Sequence, residues 1–237
     1  MQIGGFQKMT LVDYPGKIAT TVFTVGCSFR CPFCHNPELV ISQPLPSHPL
    51  FTGKGAEGEF FDFLKMRHGK LDGVCITGGE PTIQPDIVLF IEKIKEIGFA
   101  VKLDTNGTRP DVLKKLLDKK LLDYIAMDIK SDLRNYDKLT GSKVDKERIK
   151  LSVNLIMNSR VPYEFRTTVV PGLHAEKDFL AIAKWIGGAR EYWLQEYRED
   201  FKVLDPGIKN ITKGKKLDLE KIRKSIKSNF GKVGIRG

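Results

Sequence analysis

Three of the four cysteines lie within one short stretch, GCSFRCPFCHN, at Cys27, Cys31 and Cys34. The fourth, Cys75, sits in the apolar segment GVCIT. Thiolates bind soft metals, exchange disulfides or carry haem, and their spacing selects among these. CPFCH fits the C-x-x-C-H haem-attachment pattern, which requires export. The N-terminal MQIGGFQKMTLVDYPGK has no basic region followed by an apolar run, so the chain reads as cytosolic. CPFC alone fits a redox pair, but it leaves Cys27 unexplained, and redox domains of that kind are much shorter. A Cys3His zinc site would need the adjacent Cys34 and His35 on one tetrahedral ion, and no second C-x2-C pair exists. An iron–sulfur cluster on three thiolates is the remaining reading. A cubane usually takes four cysteines, so three leave one iron open to a reacting molecule.

Such a loop has to be held by a scaffold, and the chain alternates strand and helix around it. IATTVFTV (18–25) is a β-branched, apolar strand that ends at the cysteines. Further strands are expected in GVCITGG, FAVKLDT, LDYIAMDIK, YEFRTTVV, EYWLQEY and KVGIR. Helices are expected over 86–98, 109–120, 146–158, within AEKDFLAIAKWIGG, and over 213–230, the last with Leu217, Leu219, Ile222 and Ile226 facing the core. About six β-then-α units predict an α/β fold with a parallel sheet, too few for the closed eight-unit barrel. Polar residues at the C-terminal strand ends are then the site candidates. The segment 37–58, rich in proline and glycine, is expected to be an irregular surface loop beside the cysteines. One domain over 1–237 is expected, with its core at about 18–200 and a C-terminal extension at about 213–237. Cys75, mid-strand, is expected to be a core residue.

The composition is 41% hydrophobic and 29% charged, with a net charge of +10 and a pI of about 9.3. No run of roughly 18 apolar residues is present, so no membrane span is expected. Basic residues are scattered and not interleaved with aromatics, which argues against a nucleic-acid partner. The scattered lysines read first as a solvated surface, and the positive charge would also suit an acidic protein partner.

The C-x3-C-x2-C spacing, with the aromatic Phe33 before the last cysteine, resembles that of the radical S-adenosylmethionine (SAM) enzymes. The fold the resemblance implies is a partial (β/α)6 TIM-like barrel. It implies one [4Fe-4S] cluster on Cys27, Cys31 and Cys34, since no extra C-x2-C motif is present. SAM would chelate the open iron and, after one-electron reduction, yield methionine and a 5′-deoxyadenosyl radical. The resemblance assigns SAM contacts to Gly78, Gly79 and Glu80 of GGEP and to Asp104 and Asn106 of DTNG. It also assigns them to Asp128 and Lys130 of MDIK, and to Arg166 and Gln195. Asp128 and Lys130 are i, i+2 and share a strand face, as SAM ligands or as a plain salt bridge. Arg166 either faces the interior near SAM or pairs with Asp128. Phe33 packs against the adenine or within the loop, and His35 and Asn36 are expected to shape the loop through hydrogen bonds.

GCSFRCPFCHNPELV is similar to the glycyl-radical-enzyme activases. IGGFQKMTLVDYPGK, VVPGL and WLQEYRED resemble the activating proteins of anaerobic ribonucleoside-triphosphate reductases. Gln195, Tyr197 and Arg198 stand where the pyruvate formate-lyase activases carry a histidine, which points away from that target. The implied partners are a glycyl-radical enzyme and an electron donor such as flavodoxin or ferredoxin.

Overall fold

The computed structural model describes residues 1–40 and 55–237. Eight strands form one sheet in the order of the chain. β1 (Ile3–Thr10) runs antiparallel to β2 (Ala19–Thr24). The rest pair in parallel: β3 (Gly73–Gly78), β4 (Ala100–Thr105), β5 (Tyr124–Asp128), β6 (Tyr163–Val169), β7 (Glu191–Glu196) and β8 (Lys232–Arg236). Right-handed crossovers in strictly sequential order place the helices on one face of the sheet. The other face becomes an interior. No pairing joins β8 to β1 among the described residues, so the curl stays open: a partial barrel.

The crossovers carry α1 (Pro37–Val40), α2 (Ala56–Met66), α3 (Ile87–Ile97), α4 (Pro110–Asp118), α5 (Tyr136–Thr140), α6 (Lys146–Met157), α7 (Glu176–Trp185), α8 (Ile208–Thr212) and α9 (Leu219–Ile226). Their sequences explain them. In α3, Ile87, Phe90, Ile91 and Ile94 recur at helical spacing and are buried, and Gly98 ends the helix in the left-handed region. In α6 the Asp145 carboxylate accepts from the N–H groups of Glu147 and Arg148.

Strand alternation sorts the two faces. Val74, Ile76, Val101, Leu103, Ile125, Met127 and Phe165 are fully buried and join helix residues such as Ile91 and Leu116 in one core. Each such side chain contributes about 1.5–3 kcal/mol. The alternate positions turn Lys102, Asp104, Asp128, Glu164 and Arg166 inward.

Three expectations are corrected. β1 was missed, because IGGFQKMT has paired glycines and an exposed Gln7-Lys8-Met9 in place of alternation. The stretch 37–58 is not irregular at its ends, where α1 and the start of α2 lie; residues 41–54 are outside the described residues. The C-terminal helix begins at Leu219, not 213, because Asp218 caps it by accepting from Lys221 N–H. Of its expected core residues Ile222 and Ile226 are buried, while Leu217 and Leu219 are half-buried. Its strand, β8, extends the main sheet. Among the described residues no helix is long and apolar enough to cross a membrane.

Candidate functional site

The cysteine loop follows β2 and is tied through its backbone to four other segments. Gly26 N–H donates to Leu39 O at 2.7 Å, and Gly26 O accepts from Glu80 N–H at 2.8 Å. Arg30 N–H donates to Thr140 O at 2.8 Å. Cys34 O and Pro32 O accept from the N–H groups of Leu204 (3.2 Å) and Asp205 (3.0 Å), beyond β7. The Gly-Gly pair of GGEP makes this packing possible. Gly78 has φ +109°, and a Cβ on Gly79 would stand 2.0 Å from Gly26 O. The close approach at Gly79 is therefore made by the cysteine loop itself.

Cys27, Cys31 and Cys34 line one cavity of about 190 Å³ at the C-terminal strand ends. Phe33, Gly78, Gly79, Glu80, Asp104, Asn106, Asp128, Lys130 and Arg166 line it too. Only Gln195 among the sequence candidates does not. It lines a second cavity, with Lys102, Glu164 and Arg236, and Asp104 and Arg166 form the wall between the two.

The interior charges form a ladder. Lys102 pairs with Asp104; Arg166 bridges Asp104 (2.9 Å) and Asp128 (2.5 Å); Lys130 pairs with Asp128 at 2.9 Å. Of the two readings of Arg166, the pairing with Asp128 is the one seen, made from the interior face of the sheet. Burial alone would push the carboxylates up, but Arg166 with Lys102 or Lys130 outweighs it and holds Asp104 and Asp128 below their ordinary range. Burial likewise disfavours the Lys130 ammonium, yet Asp128 keeps its pKa raised. Lys130 and Arg166 share the cavity lining with Glu80, Asp104 and Asp128, so each cation there is matched by a carboxylate.

Glu80 is buried. Its Oε1 accepts from Thr82 N–H, Thr82 Oγ1 and Thr105 Oγ1, and its Oε2 from Asn106 N–H at 2.6 Å. It thus clamps the ends of β3 and β4 together. Asn106 Nδ2 donates to Ser28 Oγ at 3.1 Å and lies 3.8 Å from Cys27 Sγ, so it reaches the cysteine loop.

The site suits thiolate chemistry. Burial pushes the Cys27 thiol up to about 11 and Cys31 to about 12, and raises Cys34, while the Lys130 charge works the other way on all three. Neutral thiols at rest then ionise on metal binding. Among the described residues no three Cys, His, Asp or Glu close on one ion-sized point. Thiolates that each bind a different iron need not converge. Cys75 is fully buried, as expected for a core residue, with its sulfur 3.7 Å from Lys102 Nζ.

The match to known families then decides the class. Residues 21–186 match the radical SAM superfamily model. The chain belongs to the radical SAM superfamily. The family implies SAM and an iron–sulfur cluster. A Methanocaldococcus jannaschii protein, provisionally named a glycyl-radical enzyme activating enzyme, is 34% identical over 99% of this chain and 95% of its own length. The pyruvate formate-lyase-activating enzyme of Clostridium pasteurianum is 30% identical over 95% of this chain and 98% of its own. The crystal structure of Streptococcus suis SuiB superposes with a TM-score of 0.66 at 14% identity, over 92% of this chain and 49% of that one, a likeness of fold.

Within this radical SAM site, some residues escaped the sequence reading. Thr168 lines the cavity and Lys102 ends the ladder. Both were within reach of the i, i+2 rule applied to Asp128 and Lys130, since they flank Arg166 and Asp104 at that spacing. His174 holds the Lys130 carbonyl at 3.0 Å and had no local signal. His35 forms a hydrogen bond with the Arg198 backbone, while its ring stacks on Tyr197 and tilts against Phe201 and its Nε2 has no hydrogen-bond partner. Asn36 acts through its backbone, beside the Cys34 thiol and Leu39 N–H.

Proposed function

We propose that this radical SAM protein is a glycyl-radical-enzyme activase, with an anaerobic ribonucleoside-triphosphate reductase as its target. The observation that carries the reading is the convergence of three thiols, GGEP and the Asp128–Lys130 pair on one cavity. When bound, a reduced [4Fe-4S] cluster and SAM supply a 5′-deoxyadenosyl radical able to take a hydrogen atom from a glycine Cα. Cys27, Cys31 and Cys34 hold the cluster. The Gly78–Gly79 backbone and Glu80 bind the SAM amino group. Lys130 and Arg166 orient its carboxylate, and Phe33 packs against the adenine. Asp104 and Asn106 fix the loop ends around it. Gln195, beyond the Asp104–Arg166 wall, stays outside the SAM site. The open side of the sheet admits a peptide loop of the target.

The reductase is favoured by IGGFQKMTLVDYPGK, VVPGL and WLQEYRED, and by Gln195, Tyr197 and Arg198 where a histidine marks the pyruvate formate-lyase activases. The Clostridium pasteurianum relative supports a second reading, with pyruvate formate-lyase as target. A flavodoxin or ferredoxin supplies the electron.

The test is anaerobic. The protein is reconstituted with iron and sulfide, reduced and given SAM. Equal amounts of 5′-deoxyadenosine and methionine are expected. Cys31→Ala abolishes both products, whereas Cys75→Ala leaves them nearly intact; equal loss in the two variants would refute the ligand assignment. Adding each candidate target and recording the glycyl-radical electron paramagnetic resonance signal selects between reductase and lyase.

A further inference from the structure

An aromatic stack joins the cysteine loop to the surface outside the SAM cavity. His35, the residue after Cys34, is sandwiched by Tyr197 (ring centroids 5.5 Å, 15°) and Phe201 (5.3 Å, 36°). Phe201 is 45% exposed, although it is a large apolar ring. Arg198 lies over its outer face at 5.1 Å. Tyr197 is nine-tenths buried, its hydroxyl has no partner, and it lines an adjoining cleft of about 370 Å³ beside Lys215 and Lys216. The backbone of the same segment is bonded to the loop through Leu204 and Asp205. Residues 197–216 carry six Lys or Arg against three Asp or Glu, and Lys202, Lys209, Lys213, Lys215 and Lys216 are all exposed.

We infer that this face, centred on Phe201 and on the basic segment that carries Lys202, Lys215 and Lys216, is the docking surface for the electron donor, a small acidic protein carrying a flavin or an iron–sulfur group. The inference rests on the proposed function, which requires one electron per SAM cleaved. The donor gives up one electron and the cluster gains it; no bond to this surface forms. Two features favour this occupant over the target enzyme. The target glycine must reach the SAM cavity, whereas the donor need only come close to the cysteines, and this segment is hydrogen-bonded to Pro32 and Cys34 of their loop. An exposed aromatic on a segment of net positive charge also matches a partly apolar, acid-rimmed patch, for which charge steers encounter.

The test uses the reconstituted protein with an acidic flavodoxin as probe, read first as binding by biolayer interferometry. Lys202→Glu/Lys216→Glu is expected to slow association about tenfold at low salt, with the difference vanishing near 0.5 M salt as charges are screened. A control of equal charge change at the exposed Lys8 and Lys70, on other faces, is expected to have little effect. Phe201→Ala is expected to speed dissociation. Stopped-flow reduction of the cluster by reduced flavodoxin falls in step with binding, while reduction by dithionite is unchanged. Unchanged association in the double variant, or equal slowing in the control, overturns the inference. So does loss of binding to the target enzyme with flavodoxin binding intact. Failure of dithionite and SAM to give deoxyadenosine in the unaltered protein counts against the proposed function instead, and the binding arm still decides the surface.

Discussion

The imidazole of His174 has one tautomer open to it. Val170 N–H donates to Nδ1 at 3.1 Å, so Nε2 carries the proton and donates to the Lys130 carbonyl at 3.0 Å. Burial disfavours the charged ring and lowers its pKa. An unfolded histidine titrates near about 6.5. The folded value lies below that, so the contribution to stability is complete above about pH 6.5 and is lost as pH falls through the folded value. Burial lowers His35 in the same sense. Urea unfolding is expected to give a stability that falls below about pH 6.5, and His174→Gln to flatten that slope. A slope identical in the variant would remove His174 from the account. Because the ring holds the backbone of Lys130, the same acid step is expected to loosen one wall of the cysteine-lined cavity.

At the scale of elements, the decisive contact is between the end of β3 and the loop after β2. Neither side has room to yield. Gly26 is bonded on one side to Leu39 O and on the other to Glu80 N–H, and the missing Cβ of Gly79 would stand 2.0 Å from Gly26 O. Gly79→Ala is expected to cost about 1–3 kcal/mol and to lower iron incorporation, because the shift it forces moves Cys27. Gly58→Ala provides the contrast. Gly58 lies in α2, and its Cβ would meet nothing within 4 Å. Alanine there is expected to stabilise by about 0.5–1 kcal/mol through helix propensity. Thermal melts with iron analysis separate the two. A Gly79→Ala protein with full iron and an unchanged melt would contradict the packing argument.

The whole molecule is an open curl whose interior holds charge where a closed barrel holds aliphatic layers. Its last strand is part of that arrangement. From β8, Arg236 makes two 2.7 Å bonds to Glu164, which is buried on β6, and its guanidinium lies 3.9 Å from the Trp193 ring centroid on β7. The pair therefore spans three strands near the open edge. Arg236→Ala leaves the Glu164 carboxylate with one hydrogen bond among the described residues, from Tyr124 Oη at 3.2 Å, and the charge of Arg166 nearby. The expected cost is about 2 kcal/mol, the modest end for a broken buried pair because Arg236 is 35% exposed. That corresponds to a melting temperature lower by roughly 4–8 °C. Arg236→Ala/Glu164→Gln is expected to recover most of the loss, since the stranded charge is removed with it. No recovery would place the cost in lost stacking on Trp193.

The sequence by itself determined the class of chemistry and the order of the elements. Three cysteines at C-x3-C-x2-C, and strand ends reading GGEP, DTNG and MDIK, are local patterns, and local spacing fixes which residues share a loop or a strand face. What only the tertiary structure decided are the relations across strands. Register set Arg166 beside Asp128, and the curl of the sheet brought Asp104 to it. That wall put Gln195 in another chamber. Gly79 answers to Gly26, His35 to Tyr197, and His174 to the Lys130 carbonyl just beyond β5, partners far apart in the chain. β1 was illegible for the same reason: it is a strand because β2 offers it an edge, and its own residues do not alternate.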